Sequence, residues 1–221
     1  MPEATTSRGR PRSGASRDAV LRAAFEALCE RGYAGLAIEH VAGRAGVGKA
    51  TIYRWWPDRA TLAVDSFFAA TRDTLAFPDT GSVREDFRQQ VGQVAALLRT
   101  EAGAAMAAMA AGARHDPALG KALAERWVIP RKQWGIQRMQ RAVGTGECPP
   151  DLDIEAALGA LYSPLYAPLM MGRGPEPQDR VDAYLEIVLR GIFGPAGARE
   201  PSDSAGRPRH PESSPQRTAR E

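Results

Sequence analysis

The sequence predicts an all-α protein, with a short N-terminal three-helix unit followed by a longer helical region. Three observations carry that class. Apolar residues recur at helical spacing almost throughout residues 16–193. No run of alternating residues reads as a strand. Capping and turn signals separate the periodic segments.

Taken in order, residues 1–15 form an Arg/Gly/Ser/Pro arm without apolar periodicity, expected to be disordered. The first helix opens near Ser16, and Val20, Leu21, Ala24, Phe25 and Leu28 give it one apolar stripe. Arg31-Gly32 closes it, the glycine accepting a left-handed cap. Residues 16–70 make the first domain and residues 71–194 the second. Ser82 with Glu85 is a capping-box pattern. Asp116-Pro117 supplies a cap and a first-turn proline for a long helix running past Trp127 and Trp134. Pro130 is expected to kink or divide that helix. Turn residues Gly144 to Gly146 and Pro149-Pro150 lead to Asp153, a cap for the next helix. Pro164 and Pro168 inside that helix predict a break near Ser163. The last helix starts near Pro177 and stops between Gly191 and Gly194. Residues 195–221 read as a Pro/Ser/Arg/Glu-rich disordered tail.

Composition narrows the function. Hydrophobic residues make up 43% and charged residues 25%, a globular balance. No window approaches the roughly 18 apolar residues that cross a bilayer. The arginines at 8, 10, 12 and 17 have no apolar core behind them, so no signal peptide is expected. Cys29 and Cys148 form no CxxC or Cys/His cluster, which points to a reducing cytoplasm and no metal. Cys29 reads as structural, and Cys148, beside a turn proline, as an accessible thiol. There is no P-loop, GxGxxG, GxSxG or HExxH motif, and His40, His115 and His210 are scattered. Neither an enzyme nor a cofactor is expected. The net charge of +3 and isoelectric point near 9.1 are compatible with nucleic acid without establishing it.

The informative segment is IEHVAGRAGVGKATIYRWW, Ile38 to Trp56. Two short helices crossing around a tight turn need a small residue at the crossing, and Ala42 supplies it. They need a residue tolerant of positive φ, and Gly46 follows four positions later. Ile52 and Trp55 then face back toward Val41, Ala45 and Val47. An ordinary helical hairpin satisfies this spacing, but not the polar outer face of the second helix. A recognition helix reads bases from its N-terminal turn while flanking groups hold phosphates. Lys49, Ala50 and Thr51 are the base-edge candidates; Arg44, Tyr53, Arg54 and Arg59 are the phosphate or edge candidates. With no Asn or Gln on this helix, a cation to guanine is the available bidentate contact. The segment from Arg8 to Arg12 reads either as a minor-groove arm or as a solvated tail.

Residues 32–62, GYAGLAIEHVAGRAGVGKATIYRWWPDRATL, resemble the DNA-binding domain of the TetR family of transcription regulators. The helix-rich remainder resembles the family's effector-binding and dimerisation region more loosely. The resemblance implies that Thr51, Tyr53 and Arg59 match positions that touch the operator. Two departures stand out: Ala37 sits where a threonine usually caps the second helix, and Arg59 where lysine is usual. It also implies a repressor released from palindromic DNA by a small, largely apolar effector. A helical dimeric scaffold without an operator is the alternative.

Two amphipathic stripes predict a four-helix dimer interface: Leu158, Leu161 and Leu165 on one helix, and Val181, Tyr184, Leu185 and Val188 on the last. Phe87, Met106, Met109, Trp127, Trp134 and Tyr162 are the candidates for a ligand cavity between helices. Methionine and aromatic residues at such spacing also make ordinary core.

Overall fold

The structure, a computed structural model, describes residues 10–194. It is helical throughout that span, with α1 (Arg10–Arg31), α2 (Ile38–Ala45), α3 (Lys49–Trp55) and α4 (Arg59–Thr71) forming the N-terminal unit. The rest comprises α5 (Val83–Leu98), α6 (Glu101–Gly112), α7 (Pro117–Leu123), a π-helical turn (Ala124–Val128), α8 (Ile129–Gly144), α9 (Ile154–Met170) and α10 (Gln178–Phe193). The expected tail and Arg8 of the arm lie outside the described residues.

The first helix begins at Arg10, six residues before the expected Ser16. Pro11 falls in its first turn, where a missing N–H breaks no helical hydrogen bond. The predicted stripe of α1 is buried at Val20, Leu21, Ala24 and Leu28, and the Phe25 ring packs on Phe67 of α4 at 6.2 Å. Helix α4 is buried at Ala60, Leu62, Ala63, Val64, Ser66 and Phe67. It is apolar on more than one face because it lies between α1 and the α7–π segment.

Local caps behave as local chemistry dictates. Asp58, Asp116 and Asp153 accept hydrogen bonds from the first-turn amides of α4, α7 and α9. The capping box of α5 is half realised. Ser82 accepts from the Glu85 amide at 3.5 Å, but the Glu85 carboxylate turns to Gln89 and Arg88. Thr80 Oγ1 takes the Ser82 amide instead, and Glu147 takes that of Val83 at 2.9 Å.

Proline gives two different outcomes. Ahead of Pro130 the expected disruption is a π-helical turn, in which the wider ring accommodates a residue that cannot donate. Helix α9, by contrast, runs unbroken through Pro164 and Pro168, and no break occurs near Ser163. Pro168 and the neighbouring leucines are buried against the bundle, so packing holds the segment helical. The Tyr184 hydroxyl donates to the Leu161 carbonyl at 3.3 Å, adding a bond in the turn where Pro164 removes one.

The C-terminal helices enclose a buried ion pair that sequence reading missed. Arg138 Nε donates to Asp86 Oδ2 at 2.5 Å, and the other carboxylate oxygen accepts from the Thr80 amide and hydroxyl at 2.6 and 2.7 Å. The pair staples the loop before α5 to α5 and α8. At Gly103 a Cβ would collide with the Leu98 carbonyl, so this glycine allows the sharp, 84° bend between α5 and α6.

Candidate nucleic-acid interface and ligand cavity

Helices α2 and α3 meet around Gly46, whose φ of 66° closes α2 in the left-handed conformation. The Val47 amide returns to the Ala42 carbonyl at 3.0 Å, which sets the crossing. Ala42, Val41 and Ile52 are buried as expected. The aromatic anchor differs from expectation: Trp56, not Trp55, is the fully buried ring. Its indole N–H donates to Asp65 of α4 at 2.9 Å, while half-buried Trp55 packs edge-on against it. Ala37 caps nothing with its side chain.

The outer face of α3 carries Lys49, Ala50, Tyr53 and Arg54 in solvent, with Thr51 half-buried beside them. Lys49 pairs with Glu39 at 3.1 Å, an exposed contact of little net strength that a phosphate or guanine can replace. Arg54 lies over the Trp55 ring at 5.3 Å.

Two further expected DNA contacts, Arg44 and Arg59, also hold partners within the subunit. Arg44 forms a two-pronged bond to Glu30 of α1 at 2.9 and 3.0 Å, with Glu26 3.6 Å away, and so fastens α2 to α1. Arg59 lies over the Tyr33 ring at 4.4 Å and 3.8 Å from Asp116, whose carboxylate also accepts the Tyr33 hydroxyl at 2.7 Å. The Tyr33 bond, backed by the Leu119 amide, holds the Asp116 carboxyl below the usual range.

In the second domain a cavity of about 580 Å³ opens between α6, the π turn, α8 and α9. Met106, Trp127, Trp134 and Tyr162 line it as expected, joined by Leu158 and Tyr166. Phe87 and Met109 do not line it. Both are fully buried, and Phe87 packs on Phe77 at 5.2 Å, serving the core alone. Trp127 forms the floor toward the DNA-binding unit, meeting Phe67 and Phe68 edge-on at 4.9 and 6.2 Å. Next to it, Arg126 grips both oxygens of Asp65 at 2.8 Å.

Residues 20–65 match the family model for bacterial regulatory proteins of the tetR family, and residues 77–188 the model for a tetracyclin repressor-like C-terminal domain. The chain belongs to the TetR family. The HTH-type transcriptional regulator YdeS of Bacillus subtilis is 31% identical over 84% of this chain and 92% of its own length. The DNA-binding transcriptional repressor TetR of Mycobacteroides abscessus is 28% identical over 87% and 98%. Among solved structures, the TetR family transcription regulator SCO0332 superposes with a TM-score of 0.71 at 34% identity, covering 80% of this chain and 98% of that one. This chain is therefore a DNA-binding transcription regulator with a helix-turn-helix, and its relatives hold a non-enzymatic role.

In this TetR-family regulator the predicted dimer stripes turn out to be internal. Leu158, Leu161, Leu165, Val181 and Leu185 are each at most 6% exposed within one subunit, so they have no surface left for a partner. Tyr184 and Val188 are half-buried. Periodicity identified the buried face of each helix; that face meets the subunit's own core. The opposite faces of the same helices stay open: Ala156 and Ala160 on α9, and Ala183, Ile187 and Gly191 on α10, with Ile187 73% exposed. Cys148 also departs from expectation, being 2% exposed beneath the α8–α9 turn. Burial pushes the Cys29 thiol above its ordinary range, away from a reactive thiolate. No single helix among the described residues is long and apolar enough to cross a membrane.

Proposed function

We propose that this regulator represses transcription in the cytoplasm by binding a palindromic operator as a homodimer, and that a small molecule in the α6–α9 cavity releases it. The observation that carries the reading is the short chain of contacts from cavity to recognition helix. Trp127 lines the cavity and abuts Phe67 and Phe68. Its neighbour Arg126 holds Asp65, and Asp65 holds Trp56, the residue that ends α3. A ligand that displaces the π turn therefore pulls on α4 at two adjacent points, and α4 carries α3 with it. Paired recognition helices must match major grooves roughly 34 Å apart, so a modest rotation of each suffices to lose the register. The loss in operator affinity is bounded by the ligand's preference for the released conformer, typically about 1–3 kcal/mol.

On DNA, Lys49, Ala50 and Thr51 would read base edges, with Tyr53 and Arg54 on the backbone. Arg44 and Arg59 support this surface from behind, through α1 and Tyr33. The dimer would form on the open faces of α9 and α10, centred on Ile187, and would bring two helices from each subunit into one bundle.

The test is a fluorescence-anisotropy titration against DNA flanking the regulator's own gene, with random duplex as competitor and salt varied. Saturable binding that is tighter than to random DNA and weakens with salt is expected. Lys49→Ala and Tyr53→Ala should abolish the preference without lowering the melting temperature, since both side chains are exposed. Unchanged operator preference in both variants would remove α3 as the reading element.

A further inference from the structure

The cavity wall contains a charge that the protein does not neutralise. Arg131, on the first turns of α8, lines the cavity and is partly withdrawn from water. Among the described residues it has no carboxylate within ion-pair distance. Its one hydrogen bond is a long one, 3.5 Å to the Leu75 carbonyl. The other cations of α8 are matched: Lys132 reaches Glu155 at 2.6 Å, Arg138 reaches Asp86, and Arg141 lies 3.9 Å from Asp79. A guanidinium cannot shed its proton to escape burial, so an unpaired one in an apolar wall is unfavourable until an anion arrives. Burial accordingly pushes the Arg131 guanidinium below its ordinary pKa.

The surroundings hold the cation in place without satisfying its donors. Its centre lies 4.8 Å from the Trp127 ring and 5.9 Å from that of Trp134. Stacking of this kind engages the flat face of the guanidinium, leaving the N–H edge for an oxygen pair. Tyr162 also lines the cavity, and among the described residues its hydroxyl has no hydrogen-bond partner. Burial keeps that phenol protonated well beyond neutral pH, so it serves as a donor. Most of the remaining wall is apolar, with Met106, Leu158 and Met170; its other polar groups include Ser163 and the Lys132–Glu155 pair, whose charges meet each other at 2.6 Å.

We infer that the effector is an apolar carboxylic acid whose carboxylate pairs with Arg131 and whose hydrophobic body fills the space among Met106, Trp127, Leu158 and Tyr162. This rests on the reading of the cavity as the effector site. It also places the anion beside Trp127, at the start of the contacts leading to Asp65 and α3.

The experiment is isothermal titration calorimetry of the full chain with 2-naphthoate and with its neutral isostere 2-naphthamide. The acid should bind at least about tenfold more tightly, as expected for a charge-assisted bond in a partly desolvated site. Arg131→Gln should erase that preference while keeping amide binding, and Arg131→Lys should retain part of it, which shows that the loss is not a folding defect. Equal affinity for the two probes, a preference that survives Arg131→Gln, or no binding of either probe at millimolar concentration would each overturn the assignment. Anisotropy of the operator complex separates this from the release reading. Release by neutral compounds alone would refute the acid and leave the release reading standing. Acid binding through Arg131 with no change in operator affinity would refute release and leave the acid-binding site standing.

Discussion

Ile187 offers the sharpest test of how two subunits meet. It sits mid-helix on α10 with 73% of its surface in water, although Leu185 and Leu189 on the same helix are buried. Fully burying an isoleucine side chain stabilises by about 1.5–3 kcal/mol, so roughly three quarters of that, about 1–2 kcal/mol, is still to be gained at an interface. A two-fold axis counts the residue twice, giving about 2–4 kcal/mol per dimer. Ile187→Arg forfeits this and places two like charges near the axis. The dimer dissociation constant should rise by at least about 30-fold to 1,000-fold. Folding of the subunit should hardly change, within about 0.5 kcal/mol, because the position touches little of its own core. Sedimentation velocity across a concentration series reads the first quantity, and thermal melting the second. Leu185→Ala is the control with the opposite pattern: about 2–5 kcal/mol lost in folding, through a cavity in the core. A dimer of Ile187→Arg as tight as the wild type would refute the placement of the interface on this face.

Three further outcomes follow from contacts already described. Arg126→Ala removes a half-exposed ion pair, so it should alter stability by no more than about 1 kcal/mol and leave operator affinity without effector intact. It should nevertheless shrink effector-induced release by about fivefold or more, measured by anisotropy with and without ligand; release within twofold of wild type would refute the route through Asp65. Arg138→Ala leaves the Asp86 carboxylate buried without its cation and should cost about 3–5 kcal/mol in urea unfolding, whereas a loss below about 1 kcal/mol would contradict the pairing. Asp116 is held below the usual carboxylate range chiefly by the Tyr33 hydroxyl, so its stabilisation is present above its unfolded pKa of about 4 and disappears as pH falls through its lower folded value. Asp116→Asn should therefore flatten the decline in stability below about pH 4, and an unchanged acid slope would argue against it.

Much of the fold was legible because its signals are local. Asp58, Asp116 and Asp153 cap the helices they precede, and Gly46 takes the left-handed turn, since each depends on chain geometry within four residues. Misreadings arose where distant packing decides. Periodicity marked Leu161 and Leu185 as buried without saying what buries them. Pro164 and Pro168 stay helical because the bundle holds their helix. The pairing of Arg44 was invisible in sequence, because Glu30 lies fourteen residues upstream and meets it only when α1 and α2 fold together. Arg131 gave no signal at all: an arginine in a polar-looking stretch becomes unusual only once Trp127 and Trp134 flank it and its neighbours have taken the nearby carboxylates.

Helix α3 buries only Ile52 among its seven residues. What the helix touches on DNA and what keeps it folded are thus carried by different side chains. Lys49, Ala50 and Tyr53 can be exchanged without disturbing the fit of Ile52 or the Trp56–Asp65 bond. Duplicated copies of such a gene can drift toward new binding sites by single, structurally silent steps, each copy keeping its response to whatever the cavity detects. Sensing and addressing are inherited as separable traits, and hybrids that swap the outer face of α3 between relatives should remain folded while changing the genes they answer to.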